Sequence, residues 1–180
     1  MSPHVFDFFL ISDTGIFLVT PEPTSLENVY QFIRGVFFRR WMTMATSTKV
    51  KKMIEKAMDA NNQEGIRTPF DLLERLGKVE KEAVKIFRNG MSAFRPRLII
   101  NQARNSTEAE LGFAMRSVCR KYFGIDLIFL GYIFYDHNVY SSLQWERAFF
   151  SDYPSSDVAQ CIRDIAARLS DDGGLEWTLS

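Results

Sequence analysis

The sequence predicts an α/β fold: a partial parallel sheet of three to four strands with flanking helices, plus a helical insertion. Three observations carry this. Short β-rich apolar runs lie at residues 16–20, 97–101 and 127–133, of which Ile16-Phe17-Leu18-Val19-Thr20 and Leu98-Ile99-Ile100 are the clearest. Each run is followed by turn-forming residues and then by apolar residues at helical spacing. Between the first two runs, residues 46–95 carry helical patterns only.

Residues 5–11 are bulky and apolar, between Pro3 and Ser12-Asp13. Their number fits a strand or a helix, and Asp13-Thr14-Gly15 as a C-terminal stop favours the helix. The chain therefore starts inside an apolar element, an unusual beginning for a complete domain. Residues 16–20 are apolar on both faces, the pattern of a buried parallel strand, and Pro21 and Pro23 end it. Thr24 is expected to cap the next helix, with Glu27 as its capping-box partner. Leu26, Val29, Tyr30, Ile33 and Phe37 form the apolar stripe. Arg39 and Arg40 fall in the last turns, where cations suit the helix dipole.

Within 46–95, Val50, Met53, Ile54, Ala57 and Met58 mark one amphipathic helix. Thr68-Pro69 opens a second, with proline at the first helical position. Residues 79–91 make a third, with Ala83, Ile86 and Phe87 facing inward. The segment reads as a helical insertion or arm (about 46–95) on a single domain spanning 1–169, and 170–180 as a flexible tail. After the second strand, 102–105 is a loop and 106–123 a helix. Its inward side is Leu111, Ala114, Met115, Val118, Cys119 and Tyr122, and Gly124 closes it. The third strand leads to a helix ending about Trp145. A last helix over 155–169 carries Val158, Cys161, Ile162, Ile165, Ala166 and Leu169 on one face.

Composition narrows the function classes. A hydrophobic share of 46% in 180 residues is enough for one domain with a real core. The 22 basic and 22 acidic side chains cancel, which argues against a nucleic-acid binder driven by bulk charge. Cys119 and Cys161 both lie on helical apolar stripes and read as reduced core residues, so a cytoplasmic location is expected. No basic residue precedes the N-terminal apolar run, and Asp7 and Asp13 interrupt it, so it does not read as a signal peptide. The run 127–135 is far below the roughly 20 residues needed to span a bilayer.

The common catalytic motifs are missing. The Gly77-Lys78 pair lacks the upstream glycine and following hydroxyl of a phosphate-binding loop. No G-x-G-x-x-G, H-E-x-x-H, C-x-x-C or G-x-S-x-G occurs, and His4 and His137 are the only histidines. No catalytic residue and no metal ligand is assigned. What remains is the loop after each strand: Pro21-Glu22, residues 101–105 and residues 135–138. In a parallel sheet these share one rim, and ligands of open α/β sheets bind there. Asn101 offers an amide that can read a purine edge, or it ties down its own loop as an Asx-turn. Asp136 can bond a ribose or cap the following helix. Arg104 can meet phosphate or stay solvated. Gln102 and Tyr135 complete the set. The Arg39-Arg40 pair and Lys49, Lys51 and Lys52 form a basic patch or a solvated helix face.

Residues 8–30, with Thr20-Pro21-Glu22-Pro23-Thr24-Ser25 and the following Tyr30, resemble the middle of MinD/ParA-type ATPases. The likeness is closest to the MinD-like branch that includes the flagellar-number regulators. Leu98-Ile99-Ile100-Asn101-Gln102-Ala103-Arg104 resembles that branch's next strand, which ends in an adenine-contacting asparagine. Gly131-Tyr132-Ile133-Phe134-Tyr135-Asp136-His137-Asn138-Val139 resembles its base-pocket strand end, with Phe134 where the family has proline. The resemblance implies the C-terminal half of a P-loop NTPase fold. It implies binding of ATP with Mg²⁺ through Asn101, Gln102, Arg104, Tyr135 and Asp136, and dimerisation around nucleotide.

The chain begins after the point where the family's P-loop, deviant lysine and Walker-B aspartate would stand. Those groups cradle phosphate and position Mg²⁺, so ATP hydrolysis by this chain alone is not expected. The expected partners are an N-terminal P-loop half or a homologous ATPase subunit, with a homodimer and a protein docking on the helical arm as further expectations. No specific nucleic acid and no membrane anchor are implied. We expect a C-terminal fragment, a split gene product or a chain that needs a partner half. The alternative is a non-catalytic interaction module, a degenerate relative acting through its helical arm and exposed sheet edge.

Overall fold

The computed structural model describes residues 3–12, 15–59, 65–66, 68–92 and 94–173. In chain order the elements are α1 (Pro3–Ile11), β1 (Ile16–Val19), α2 (Pro23–Met44), α3 (Thr48–Met58), α4 (Pro69–Gly77) and α5 (Lys81–Ser92). There follow β2 (Arg97–Ala103), α6 (Ser106–Ala109), α7 (Leu111–Phe123), β3 (Ile128–Phe134), α8 (His137–Gln144), α9 (Phe149–Asp152) and α10 (Asp157–Gly173). The described strands form one parallel sheet in the order β1-β2-β3. This is the α/β architecture with flanking helices that the alternation of patterns predicts.

The two faces of the sheet are covered unequally. On one face Phe17, Val19, Leu98 and Ile100 join a large core with α2 and α7. Helix α1 lies on the same side, where Phe9 stacks on Phe17 at 4.7 Å between ring centroids. On the other face Ile99 and Leu130 pack against Ile165 of α10. Leu18 stands beside Ile99 in the register, yet Leu18 is 60% exposed and Ile16 39%. The expectation that residues 16–20 are buried on both faces is therefore corrected. Helix α10 covers β3 and β2, and β1 is an edge strand with one apolar face open.

The segment between β1 and β2 is helical, and it is built into the core. Val50, Ile54, Leu72, Leu76 and Phe87 belong to the same cluster as the sheet residues. Trp41 near the end of α2 stacks on Phe87 of α5 at 4.7 Å and 12°. Thr68 caps α4 through a reciprocal capping box with Asp71, at 3.2 and 2.7 Å. On α5, Ala83 and Phe87 face the core as expected, whereas Ile86, also expected inward, is exposed.

Other local expectations shift for identifiable reasons. Helix α2 starts one residue before Thr24, with Glu22 as N-cap and Pro23 in the first turn, and no side-chain cap forms. Proline has the right φ for that position and no N–H to satisfy. Glu22 instead accepts a hydrogen bond from the Thr20 hydroxyl at 2.7 Å. Because α2 continues to Met44, Arg39 is not at its end. Arg39 forms a two-pronged ion pair with Asp7 of α1, at 2.7 and 2.9 Å. The helix expected over 106–123 breaks at Glu110 into α6 and α7. The buried line of α7 is Gly112, Met115, Cys119 and Phe123, so Ala114 and Tyr122 lie outside it. Gly124 closes α7 in the left-handed conformation at φ 66°, as expected. Helix α10 extends through Gly173, beyond the expected end at 169, and residues 174–180 of the expected tail lie outside the described residues.

Burial of Cys119 pushes its thiol up to about 12. Cys161, half-buried on α10, is raised by burial against a lowering hydrogen bond from the Phe134 backbone. Iodoacetamide at pH 8 is expected to label Cys161 first and to leave Cys119 unmodified until the chain is unfolded, as read by mass spectrometry of the peptides. The folded thiol of Cys119 ionises above the unfolded one. Its contribution to stability is whole below the unfolded value of 9.0 and is lost as pH rises from there towards about 12.

Candidate functional site

Parallel strands end together, so the carboxyl ends of β1, β2 and β3 share one rim. Strand β2 ends irregularly. Its pairing with β3 slips between Asn101 and Ala103, and Gln102 has φ 61°. Asn101 precedes the slip and, two residues along from Ile99, lies on the same, α10 side of the sheet. There it lines a cavity of about 590 Å³ together with Gln102, Tyr135 and Asp136. Its apolar walls come from Ile133 and Phe134 of β3, Tyr140 and Leu143 of α8, Phe149 and Phe150 of α9, and Val158 and Ile162 of α10. The volume lies in the range of small-molecule sites, and apolar walls with a few polar groups are typical of them.

The polar groups differ in how far they are already committed. Asn101 is half-buried, and its side-chain amide forms no hydrogen bond with any described residue. The Asx-capping role falls to Asn105, whose Oδ1 accepts from the Glu108 N–H at 2.8 Å and so starts α6. Asp136 is the N-cap of α8, its Oδ1 accepting from the Asn138 N–H at 2.8 Å. The capping alternative weighed for Asp136 is thus realised, with Oδ2 remaining. Tyr135 is exposed at the cavity mouth.

Arg104 stands apart from this group. Its backbone N–H donates to Glu108 Oε2 at 2.8 Å. Its side chain lines a small cleft of about 50 Å³ with Thr20, Pro21, Glu22 and Gln102, at the ends of β1 and β2. Gln102 touches both hollows. Four of the five residues singled out from the sequence therefore meet at one cavity, and the fifth borders the neighbouring cleft.

Of the apolar walls, Ile133, Phe134 and Val139 fall in the run likened to a base-pocket strand end, whereas Tyr140, Leu143, Phe149 and Phe150 carry no such signal in the sequence. Val158 and Ile162 were legible as an apolar helix face, but Phe149-Phe150 sit in a four-residue helix too short for any periodicity. Among the described residues, no three His, Cys, Asp or Glu side chains converge in a way that could hold a metal ion. No helix of the described residues is long and apolar enough to cross a membrane. No protein-family model matches the chain, and no curated protein matches it.

Proposed function

We propose that this chain carries the base-binding side of a MinD/ParA-like, ATP-dependent switch protein of the cytoplasm, and that a second sheet supplies the phosphate-binding loop. The observation that carries the reading is the unengaged Asn101 amide, two residues before the end of the central strand, at the 590 Å³ cavity. A purine edge presents a donor beside an acceptor, and one amide satisfies both. A base face needs apolar and aromatic cover, which Phe134, Tyr135 and Val158 offer. Asp136 Oδ2 is left for a sugar hydroxyl. The residues fit the base and sugar of ATP. They do not fit its triphosphate and Mg²⁺, which need backbone N–H cradles and cation-holding groups from elsewhere. The free edge of β1, with Ile16 and Leu18 exposed, supports a partner sheet at that side.

The test is ligand-observed NMR and calorimetry with adenosine and Mg-ATP. Adenosine is expected to bind, and Asn101→Ala to weaken it by about tenfold, the worth of a paired donor and acceptor. Unchanged affinity in Asn101→Ala, or no adenosine binding at millimolar concentration, would overturn the base assignment. A second reading is a non-catalytic interaction module, favoured by the same open β1 edge. It takes over if adenine compounds do not bind while the chain associates with a partner in a manner abolished by Leu18→Lys.

A further inference from the structure

The amino ends of the strands form a second hollow, at the opposite edge of the sheet from the rim cavity. It has a volume of about 220 Å³ and is lined by Ser12, Gly15, Arg40, Arg95, Arg97 and Ile128, among others. Three arginines from two segments, α2 and the start of β2, line one small concave space. Like charges brought together around a hollow repel one another unless an anion sits between them.

Of the nearby carboxylates, one is committed to a cation outside the hollow and one is shared with it. Asp7 is held by Arg39 at 2.7 Å. Asp126 is shared between Arg116, at 3.3 Å, and Arg95, at 3.8 Å, so Arg95 is partly compensated. Arg97 is 9% exposed and has interactions of its own. Arg40 is the decisive group. It has no ion pair among the described residues, and its Nε is buried without a hydrogen-bond partner. Arg40 is thus an arginine at the hollow with no carboxylate partner among the described residues, and a bound anion would compensate its charge.

We propose that this hollow binds a small tetrahedral oxyanion: phosphate, or the phosphate group of a monoester. Guanidinium groups recognise phosphate through planar, paired N–H donors, and arginines from two segments at one hollow suit an anion whose acceptor oxygens point several ways. The hollow is below the usual range for drug-sized ligands and suits a group of this size. The site is separate from the rim cavity and does not rest on the nucleotide reading.

The test is a two-dimensional ¹⁵N–¹H NMR titration of the full chain with sodium phosphate, against sodium chloride at matched ionic strength. Saturable shifts are expected at the amides of Ser12, Gly15, Arg95 and Ile128. Arg40→Gln and Arg95→Gln are each expected to weaken phosphate about tenfold or more. Both variants should keep the wild-type spectrum in chloride. Arg40→Gln should melt no lower than wild type in chloride, because repulsion is relieved. In phosphate at ten times its dissociation constant, the wild type should gain about 3–5 °C and Arg40→Gln should not. Glycerol 3-phosphate titrated in parallel separates a monoester from the free ion: a response lost in Arg40→Gln identifies the ester, and a response to phosphate alone identifies the ion. Shifts scattered over the surface, or unchanged in Arg40→Gln, would overturn the site. So would phosphate binding that emerges only in Asp13→Asn, since Asp13 lies between Ser12 and Gly15 in the chain and would then be an internal counter-ion.

Discussion

Trp41→Ala is expected to destabilise the chain by about 3–5 kcal/mol, enough to unfold a marginally stable domain at 37 °C. Trp41 is 1% exposed and is among the largest fully buried side chains described. It lies where α2 meets the inserted helices. Its ring stacks on Phe87 of α5 at 4.7 Å, contacts Phe37 at 4.5 Å and meets Phe38 edge-on at 6.4 Å. Alanine would leave a void bounded by three aromatic rings held on helical backbones, which cannot close over it. Trp41→Phe is the informative control. The indole N–H is buried without a hydrogen-bond partner in the structure, so phenylalanine removes an unsatisfied donor while keeping most of the stack. Its cost is expected to be below about 1.5 kcal/mol. Chemical denaturation of both variants, read by far-ultraviolet circular dichroism, checks the pair. If alanine and phenylalanine cost the same, the stack on Phe87 is not what joins the inserted helices to the core.

That junction also shows what a sequence can and cannot reveal. The helices of residues 46–95 were legible from spacing and from the Thr68-Pro69 start, because capping and periodicity are local properties. Their attachment was not, because the stack of Trp41 on Phe87 joins residues far apart in the chain. The strands were legible as apolar runs, but their ends were not. Strand β2 runs to Ala103 through the left-handed Gln102, and β3 to Phe134. A slip in pairing has no signature in a single sequence.

Burial of β1 was misjudged for a different reason. Ile16 and Leu18 are as apolar as Phe17 and Val19, but their cover depends on how far α10 reaches across the sheet. At the rim, Asn101 and Asn105 are equally able to form an Asx-turn by residue type. Only the structure shows that Asn105 caps α6 and leaves Asn101 to face the cavity.

Gly131→Val is expected to cost about 3–5 kcal/mol and to open the rim cavity by displacing α10. Gly131 has φ 145°, a conformation that side-chain-bearing residues rarely adopt. It sits where the β2–β3 pairing first slips, between Leu98 and Ile99. A Cβ there would lie 3.1 Å from Arg168 Nη1 and 3.2 Å from Ile165 Cγ1, both on α10. Two costs therefore add: backbone strain of about 1–3 kcal/mol and overpacking against α10 of similar size. Arg168 also donates to the Leu130 carbonyl next door, so a displaced α10 would lose that tie. The same helix carries Val158 and Ile162, two walls of the cavity. Hydrogen exchange should thus rise along α10 before it rises in α2 or α7. The two costs separate in a double-mutant cycle with Ile165→Ala. That second change makes room for the valine methyls but leaves φ as it is, so it should recover the packing part and not the strain. If Ile165→Ala restored full stability, backbone conformation would not be what requires glycine at 131. If it restored none, α10 would not be the element that the new side chain meets.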